Sequence, residues 1–323
     1  MIVVTGGVGF IGSNLVQALN QRGVTDILVV DDFTDGHKFS NLSGAEIADY
    51  MDHREFKQRL SDHDRALSEI EIIYHLGACT DTTEWDGRFM LEANFTYSKA
   101  LLAACQARAI PLVYASSAAV YGAASICRED AAHERPLNVY GYSKLLFDQC
   151  VRRLLPSAQA RVIGLRYFNV YGPREQHKGR MASVVYHFDR QVRDTGCVRL
   201  FGASHGVGPG EQQRDFVYVD DVVAVTLWGG TQATHSGVYN CGTGAASTFN
   251  RVAQAVLEWH HRGSLEYIPF PTDLRAAYQS NTCADLQALR AGGYSGAFRG
   301  VEEGVKHYLD WLNLENAVDR HTP

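Results

Sequence analysis

The chain has no run of 18 apolar residues, the length a helix needs to cross a bilayer, so no membrane span is expected. Its basic residues are too few and too scattered to make a stripe. Thirty Lys and Arg stand against 36 Asp and Glu, a formal net charge of −6, which argues against nucleic acid as a primary partner. The seven cysteines, at 79, 105, 127, 150, 197, 241 and 283, are odd in number and show no C-x-x-C spacing. They read as small core residues of a reducing compartment, so neither a disulfide frame nor a metal site is expected. No basic segment followed by a cleavable apolar one opens the chain, and the expected location is cytoplasmic. Repeats, low-complexity tracts and flexible linkers are missing as well. What is present is 323 residues, 46% hydrophobic and 20% charged, enough for a globular protein of two lobes sharing a core.

The first thirty residues carry the clearest chemistry. Ile2-Val-Val-Thr5 reads as a short β-branched strand, Gly6-Gly-Val-Gly9-Phe10-Ile11-Gly12 as a turn, and Ser13-Asn-Leu-Val-Gln-Ala-Leu as a helix running toward Gly23. Glycines in such a turn let the backbone bend sharply, let a pyrophosphate approach and let helix and strand pack closely, with the helix N-terminus facing the anion. A second buried strand, Asp26-Ile-Leu-Val-Val-Asp31-Asp32, ends in carboxylates at the distance where an acid meets the adenosine ribose. Asp31 favours NAD by repelling a 2′-phosphate, whereas Lys38 could neutralise one, so charge alone leaves NAD and NADP both open.

Alternation continues after that pair. Ile70 to Ala78 reads as a strand entering a small-residue turn, Glu92 to Arg108 as a helix, and Ile110 to Ser117 as another strand. The economical fold class is α/β, a Rossmann-type doubly wound parallel sheet. Ligands in such sheets lie beyond the carboxyl ends of the strands. That edge collects Gly9 to Ile11, Asp31, His75, Leu76, Gly77, Ala78, Cys79 and Ser116-Ser117, with Asn94 near enough to join them. Adjacent strand residues point to opposite faces, so only one of Ser116 and Ser117 reaches a cofactor. In the next helix Tyr140 and Lys144 are four apart and share a face. A serine bonded to a substrate hydroxyl, a tyrosinate taking its proton and a lysine lowering the tyrosine pKa make an alcohol-oxidation site beside a nicotinamide.

These segments, with Arg166-Tyr-Phe-Asn-Val-Tyr-Gly-Pro173 and Arg214-Asp-Phe-Val-Tyr-Val-Asp-Asp221, resemble the extended short-chain dehydrogenase/reductase family. The resemblance implies a nucleotide-sugar substrate and a smaller α/β C-terminal lobe that supplies the sugar pocket. It implies an NAD(P)-binding domain over residues 1–170 with 214–235 returning to it, and a substrate lobe over 171–213 and 236–323. More narrowly, Thr83-Glu-Trp-Asp-Gly87, Pro136 to Lys144 and Asn169 to Ser183 are similar to the branch that acts on ADP-heptose. That branch implies tightly held NADP, with Lys38 at the 2′-phosphate and Val170 and Lys178 also on the cofactor. His53 stands where some members carry lysine, which leaves mixed NADP and NAD use open. By the same likeness a homo-oligomer, a pentamer, is expected, and Asn169, Arg180, His187, Phe201, Gly202, Ala203, Ser204, Arg214 and Tyr278 line the sugar pocket.

The chemistry explains why Lys178 matters. Carbon 6 of a heptose carries a hydroxyl but no adjacent carbonyl, so its C–H cannot be deprotonated at neutral pH and oxidation must come first. Turning the exocyclic 6-keto group to show its other face moves the oxygen away from Tyr140. A second proton carrier is then needed, and the resemblance assigns it to Lys178, depressed by burial or by neighbouring Arg174, His177 and Arg180. A 4,6-dehydratase would need a carboxyl acid just after the active-site hydroxyl, where Ala118-Ala119 stand. A ring 4-epimerase would not need Lys178, and a non-catalytic cofactor sensor would lack the Tyr140 and Lys144 pair. Past Pro173 a helix is expected over Gly179 to Thr195, a strand and turn over Arg199 to Ser204, an Asp220 cap on a helix over Val222 to Trp228, and a helix over Val301 to Leu312.

Overall fold

The computed structural model describes residues 1–62, 64, 67–204, 206–271 and 281–319, with side chains through 315. In chain order the strands are β1 (Ile2–Thr5), β2 (Ile27–Asp31), β3 (Asp49–Asp52), β4 (Ile72–His75), β5 (Leu112–Ser117), β6 (Val162–Tyr167), β7 (Asn169–Tyr171), β8 (Cys197–Phe201), β9 (Gln213–Arg214), β10 (Phe216–Tyr218), β11 (Gly237–Cys241), β12 (Ser247–Thr248) and β13 (Ser264–Ile268). The helices are α1 (Phe10–Asn20), α2 (His53–Ser61), α3 (Gly87–Leu91), α4 (Tyr97–Ala107), α5 (Val139–Leu154), α6 (Val184–Thr195), α7 (Val219–Thr231), α8 (Phe249–His260), α9 (Gln287–Ala291) and α10 (Val301–Asp319).

Seven parallel strands form the central sheet in the order β11-β6-β5-β4-β1-β2-β3. Every residue of β2, β4 and β6 is buried, as expected of strands covered on both faces. Alternate side chains feed two cores. Val4, Val29, Val113 and Ile163 meet Leu15 and Val16 of α1 and Val222 and Trp228 of α7 on one side. Val3, Leu28, Ile73 and Leu112 meet Phe56 of α2, Leu101 of α4 and Phe147 of α5 on the other. The chain winds from β1 out through β2 to β3, then crosses back to β4. The crevice where winding reverses lies at the carboxyl ends of β1 and β4, the place where this architecture takes ligands.

A third core joins Val185 and Phe188 of α6, Val198 of β8, Val252 of α8 and Val305 and Leu309 of α10. Parallel pairs β7-β10 and β8-β13 and the antiparallel pair β9-β12 connect it to the main sheet.

Several boundaries differ from the sequence expectation. The expected division at 236 cuts through the return to the sheet, because Gly237–Cys241 pairs with β6 as the edge strand. The helix expected over Glu92 to Arg108 begins at Gly87, capped by the Asp86 carboxylate, and widens into one π-type turn over Glu92–Thr96 before α4. The helix expected from Gly179 begins only at Val184, capped by Ser183; residues 176–181 form a tighter turn in which Gly179 has φ 53°. Asp220 does not cap α7. Tyr218 occupies that position, and Asp220 sits in the first turn, where a carboxylate favours the helix dipole. α10 continues past Leu312 to Asp319.

Leu165 of β6 is fully buried in the first core. Leu165→Ala is expected to lower unfolding stability by about 2–5 kcal/mol with little change in the denaturant slope, measured by chemical unfolding of the cofactor-free protein.

Candidate active site

Backbone approach defines the first wall of the crevice. Gly6 takes φ +69°, and a Cβ there would fall 2.5 Å from the Gly77 nitrogen; a Cβ on Gly12 would fall 2.0 Å from the Gly6 carbonyl oxygen. Strand β1, the loop after β4 and α1 therefore touch through bare backbone. Gly9 precedes α1 without any side-chain cap, so the N–H groups of the first turn remain available to an anion. This cradle fits a dinucleotide pyrophosphate.

Asp31 ends β2 and is already engaged: Oδ2 accepts from Val8 N at 2.9 Å, and Oδ1 accepts from Asp32 N at 2.7 Å and Lys38 Nζ at 2.9 Å. Lys38 also donates to the Asp32 carbonyl. Asp32 is exposed, and its carboxyl is pulled below the usual range chiefly by Thr34, with His53 and Lys38 adding to the effect. His53, the first residue of α2, presents a buried Nδ1 that has no hydrogen-bond partner. Among these side chains the acid at β2 is offset by an ammonium, with an imidazole close by.

At the end of β4 the structure corrects two expectations. His75 does not face the crevice: Nδ1 lies 2.6 Å from Thr5 Oγ1 and Nε2 2.7 Å from Ser98 Oγ, and burial holds its pKa down to about 3. Asn94 is 1% exposed and acts on the loop instead, with Oδ1 accepting from Cys79 N at 2.8 Å and Nδ2 donating to Cys79 O at 2.9 Å. The π-type turn is what swings Asn94 to that loop, a common use of such turns. Leu76, Gly77, Ala78 and Cys79 are each half-buried along the crevice.

The serine ambiguity has a geometric answer. Ser116 Oγ points into the protein and donates to Asp148 Oδ2 at 2.9 Å, whereas Ser117 hydrogen-bonds Tyr140. Asn138 caps α5, accepting from Gly141 N at 2.8 Å, and so sets Tyr140 in the first helical turn. Lys144 is 6% exposed and donates to the Ala115 carbonyl at 3.0 Å. Burial pushes the Tyr140 phenol up and the Ser117 hydrogen bond pulls it down. Burial brings the Lys144 ammonium down to about 8, and the Asp148 carboxylate opposes that fall.

Lys178 comes from the turn after β7. It is half-buried, with Nζ 5.4 Å from the centre of the Phe10 ring at the glycine turn. Burial lowers its pKa and Glu175 raises it, so desolvation and not neighbouring cations is the cause. Its loop is tied down at several points. Asn14 Nδ2 donates to Pro173 O at 2.9 Å, Arg174 donates to Asn14 Oδ1 at 2.9 Å, and Asn41 Nδ2 meets both Val8 O at 2.9 Å and His177 Nδ1 at 3.0 Å. Arg180 donates to Asp81 Oδ2 and Thr83 Oγ1, each at 2.8 Å, and His187 Nε2 lies 3.3 Å from the Arg180 carbonyl.

Of the remaining expected contacts, Asn169 is exposed and Val170 half-buried on β7. Phe201 and Gly202 are half-buried, Ala203 is exposed, and Ser204 is buried with Oγ accepting from Gln212 Nε2 at 3.0 Å. Arg214 is 8% exposed, with its guanidinium 5.8 Å from the Phe249 ring centre and one nitrogen donating to Gln213 O at 2.8 Å. Tyr278 lies outside the described residues.

A glycine cradle, a Ser117, Tyr140 and Lys144 constellation and a parallel doubly wound sheet define a dinucleotide-dependent enzyme of the short-chain dehydrogenase type. Residues 2–242 match the model of the NAD dependent epimerase/dehydratase family, and the chain belongs to that family, with a nicotinamide dinucleotide as its cofactor. It is 59% identical over 310 residues to the ADP-L-glycero-D-manno-heptose-6-epimerase of Alkalilimnicola ehrlichii, covering 96% of this chain and 97% of that one. Its structure is similar to Helicobacter pylori ADP-L-glycero-D-manno-heptose-6-epimerase, with TM-score 0.84, 30% identity and coverage of 97% of this chain and 96% of that chain. It is also similar to Thermotoga maritima UDP-glucose 4-epimerase, with TM-score 0.79, 26% identity and coverage of 97% and 99%.

Three residues at this site escaped the sequence reading. Asp148 stands four residues after Lys144 on the same face of α5, and that Tyr-xxx-Lys-xxx-Asp spacing was the available signal. Glu175 is fully buried, accepting from Ser183 N at 2.6 Å and Gly172 N at 3.3 Å. Asp81 reaches Arg180 across 99 residues of sequence, for which no local signal exists.

Lys144 gives a pH-dependent prediction. Its folded pKa of about 8 lies below its ordinary 10.5, so between those values the unfolded chain binds more protons and folding stability rises with pH. Lys144→Met is therefore expected to unfold at a temperature no lower than wild type at pH 7, with that advantage shrinking as pH approaches 10. Thermal unfolding of the two cofactor-free proteins across that range checks it.

Proposed function

We propose that the protein inverts carbon 6 of ADP-glycero-manno-heptose, interconverting the D,D and L,D forms for the lipopolysaccharide inner core. The observation that carries the proposal is the half-buried amine of Lys178 at the glycine turn, a second proton carrier besides Tyr140. The name borne by the Alkalilimnicola ehrlichii relative supports the choice of sugar. In this reading the substrate passes through a 6-keto form, since carbon 6 cannot lose its hydrogen as a proton.

The bound nicotinamide supplies reversible hydride acceptance. In its phenolate form Tyr140 takes the hydroxyl proton and becomes the phenol, and the Ser117 hydrogen bond favours that phenolate against the effect of burial. Lys144 supplies positive charge at the start of α5 and carries no proton to the sugar. Once the exocyclic carbonyl turns about the bond to the ring, its oxygen leaves Tyr140 and meets Lys178. An amine held below the ordinary lysine range by burial gives and takes a proton more readily near neutral pH. A dehydratase reading is disfavoured by Ala118 and Ala119, which follow Ser117 and offer no carboxyl acid.

For the cofactor we favour NADP. Lys38 offsets Asp31, and the His53 imidazole, whose Nδ1 makes no hydrogen bond and lies 3.8 Å from Asp52 Oδ2, stands at the same strand ends, which suits a 2′-phosphate. Residues 171–213, and those following β11, would supply the sugar side, with Asn169, Phe201 to Ser204 and Arg214 as its lining. Arg180 and His187 are better suited to holding the Lys178 loop than to touching the sugar, given their bonds to Asp81, Thr83 and each other.

An NMR time course with either ADP-heptose epimer and no added cofactor is expected to reach the same mixture of both. Lys178→Met should slow that interconversion by about 100-fold or more while one epimer still changes the absorbance of the bound nicotinamide. Unchanged sugar from cofactor-loaded protein, or a dehydrated product, would overturn the proposal.

A further inference from the structure

Tyr140, Lys144 and Asp148 follow one another at single-turn spacing on α5, and each reaches the same strand. Tyr140 bonds Ser117, Lys144 bonds the Ala115 carbonyl, and Asp148 bonds two side chains of β5 at once. Tyr114 OH donates to Asp148 Oδ1 at 2.9 Å and Ser116 Oγ donates to Oδ2 at 2.9 Å. Being two apart on a strand, Tyr114 and Ser116 face the same side and fit the two oxygens of one carboxylate. A third donor, Arg166 Nε on the neighbouring strand β6, reaches Oδ2 at 2.9 Å. Asp148 and Arg166 are both 0% exposed, Tyr114 1% and Ser116 2%.

Apolar packing alone already fastens α5 here, through Phe147 and Val151 against β5 and β6. A buried ion pair adds little stability over a hydrophobic equivalent, because desolvation consumes most of the attraction. What it adds is geometry. Leu and Val contacts tolerate a slide of the helix along the strand, whereas a carboxylate held by three directed donors does not.

We propose that Asp148 is a positioning residue for the epimerisation, clamped by Tyr114, Ser116 and Arg166 so that α5 sets Tyr140 against Ser117 and keeps the Lys144 ammonium one turn from a fixed negative charge. The inference rests on the function proposed above. The charges around the clamp are accounted for element by element. Arg166 on β6 neutralises Asp148 and also pairs with Glu134, which in turn holds Arg152 of α5. Around Lys144 lie neutral His75 of β4 and the thiol of Cys79, besides Tyr140 itself. Asp148 is thus the carboxylate that acts on that amine, and it opposes the loss of its proton.

The test uses cofactor-loaded enzyme and the pH dependence of kcat on ADP-heptose. Wild type must turn over first; if it does not, the proposed function falls and this inference with it. With wild type active, Asp148→Asn is expected to cut kcat at least about tenfold with KM within about twofold, and to move the alkaline limb of the kcat profile acidward by roughly one unit. Ser116→Ala, which removes one donor and no charge, should lower kcat severalfold and leave that limb in place. A merely structural role would lower the yield of active protein without moving the limb. If Asp148→Asn does not fold, Tyr114→Phe combined with Ser116→Ala keeps the carboxylate and removes two of its three clamps; a wild-type kcat in that double variant overturns the proposal. An unshifted limb in folded Asp148→Asn overturns it equally, and leaves the assigned reaction standing.

Discussion

Everything at the crevice depends on two contacts between bare backbones. Gly12 lies against the Gly6 carbonyl and Gly6 against the Gly77 amide, at separations that admit no Cβ. Because three chain segments meet there without side chains between them, the N-terminus of α1, the end of β1 and the loop after β4 converge within one small volume. The cradle for a pyrophosphate follows from that convergence. So does the reach of Lys178, whose amine lies over Phe10, the first residue of the helix so positioned.

Two lysines stand at the site under similar electrostatic terms. Lys144 and Lys178 are each driven toward neutrality by loss of water and each restrained by one carboxylate, Asp148 for the first and Glu175 for the second. The two carboxylates are held differently. Asp148 is matched by a buried arginine, while Glu175 is satisfied by backbone N–H groups and a serine hydroxyl of the loop it closes. Proton affinity at both amines is therefore set first by burial and tempered by a carboxylate that lies within four residues along the chain.

Local pattern carried the sequence reading a long way. The glycine turn and its two flanking elements lie within twenty residues, and Tyr140 and Lys144 within one helical turn, so periodicity and spacing sufficed to place them. Burial and long-range pairing were not legible. His75 sits at a strand end, where a ligand contact was a fair expectation, yet its ring is consumed by Thr5 and Ser98, which are 70 and 23 residues away. Ser116 and Ser117 could not be told apart until their partners on α5 were known, Asp148 for the first and Tyr140 for the second. Arg214 and Arg180 were both expected on the sugar; Arg180 instead finds Asp81, a partner that no spacing rule relates to it. The division expected at 236 failed because β11 returns to pair with β6, a long-range pairing that no local pattern in Gly237–Cys241 announces.

The bridge from Arg180 to Asp81 spans the turn that carries Lys178 and the loop that follows β4, and it lies open to solvent, with the arginine side chain 71% exposed. An ion pair in such a setting holds with no more than about 1 kcal/mol, comparable to thermal energy and weakened further by salt. That contact can break and re-form freely, and what fixes the Lys178 turn is the set of bonds to Asn14, Asn41 and Glu175 beneath it.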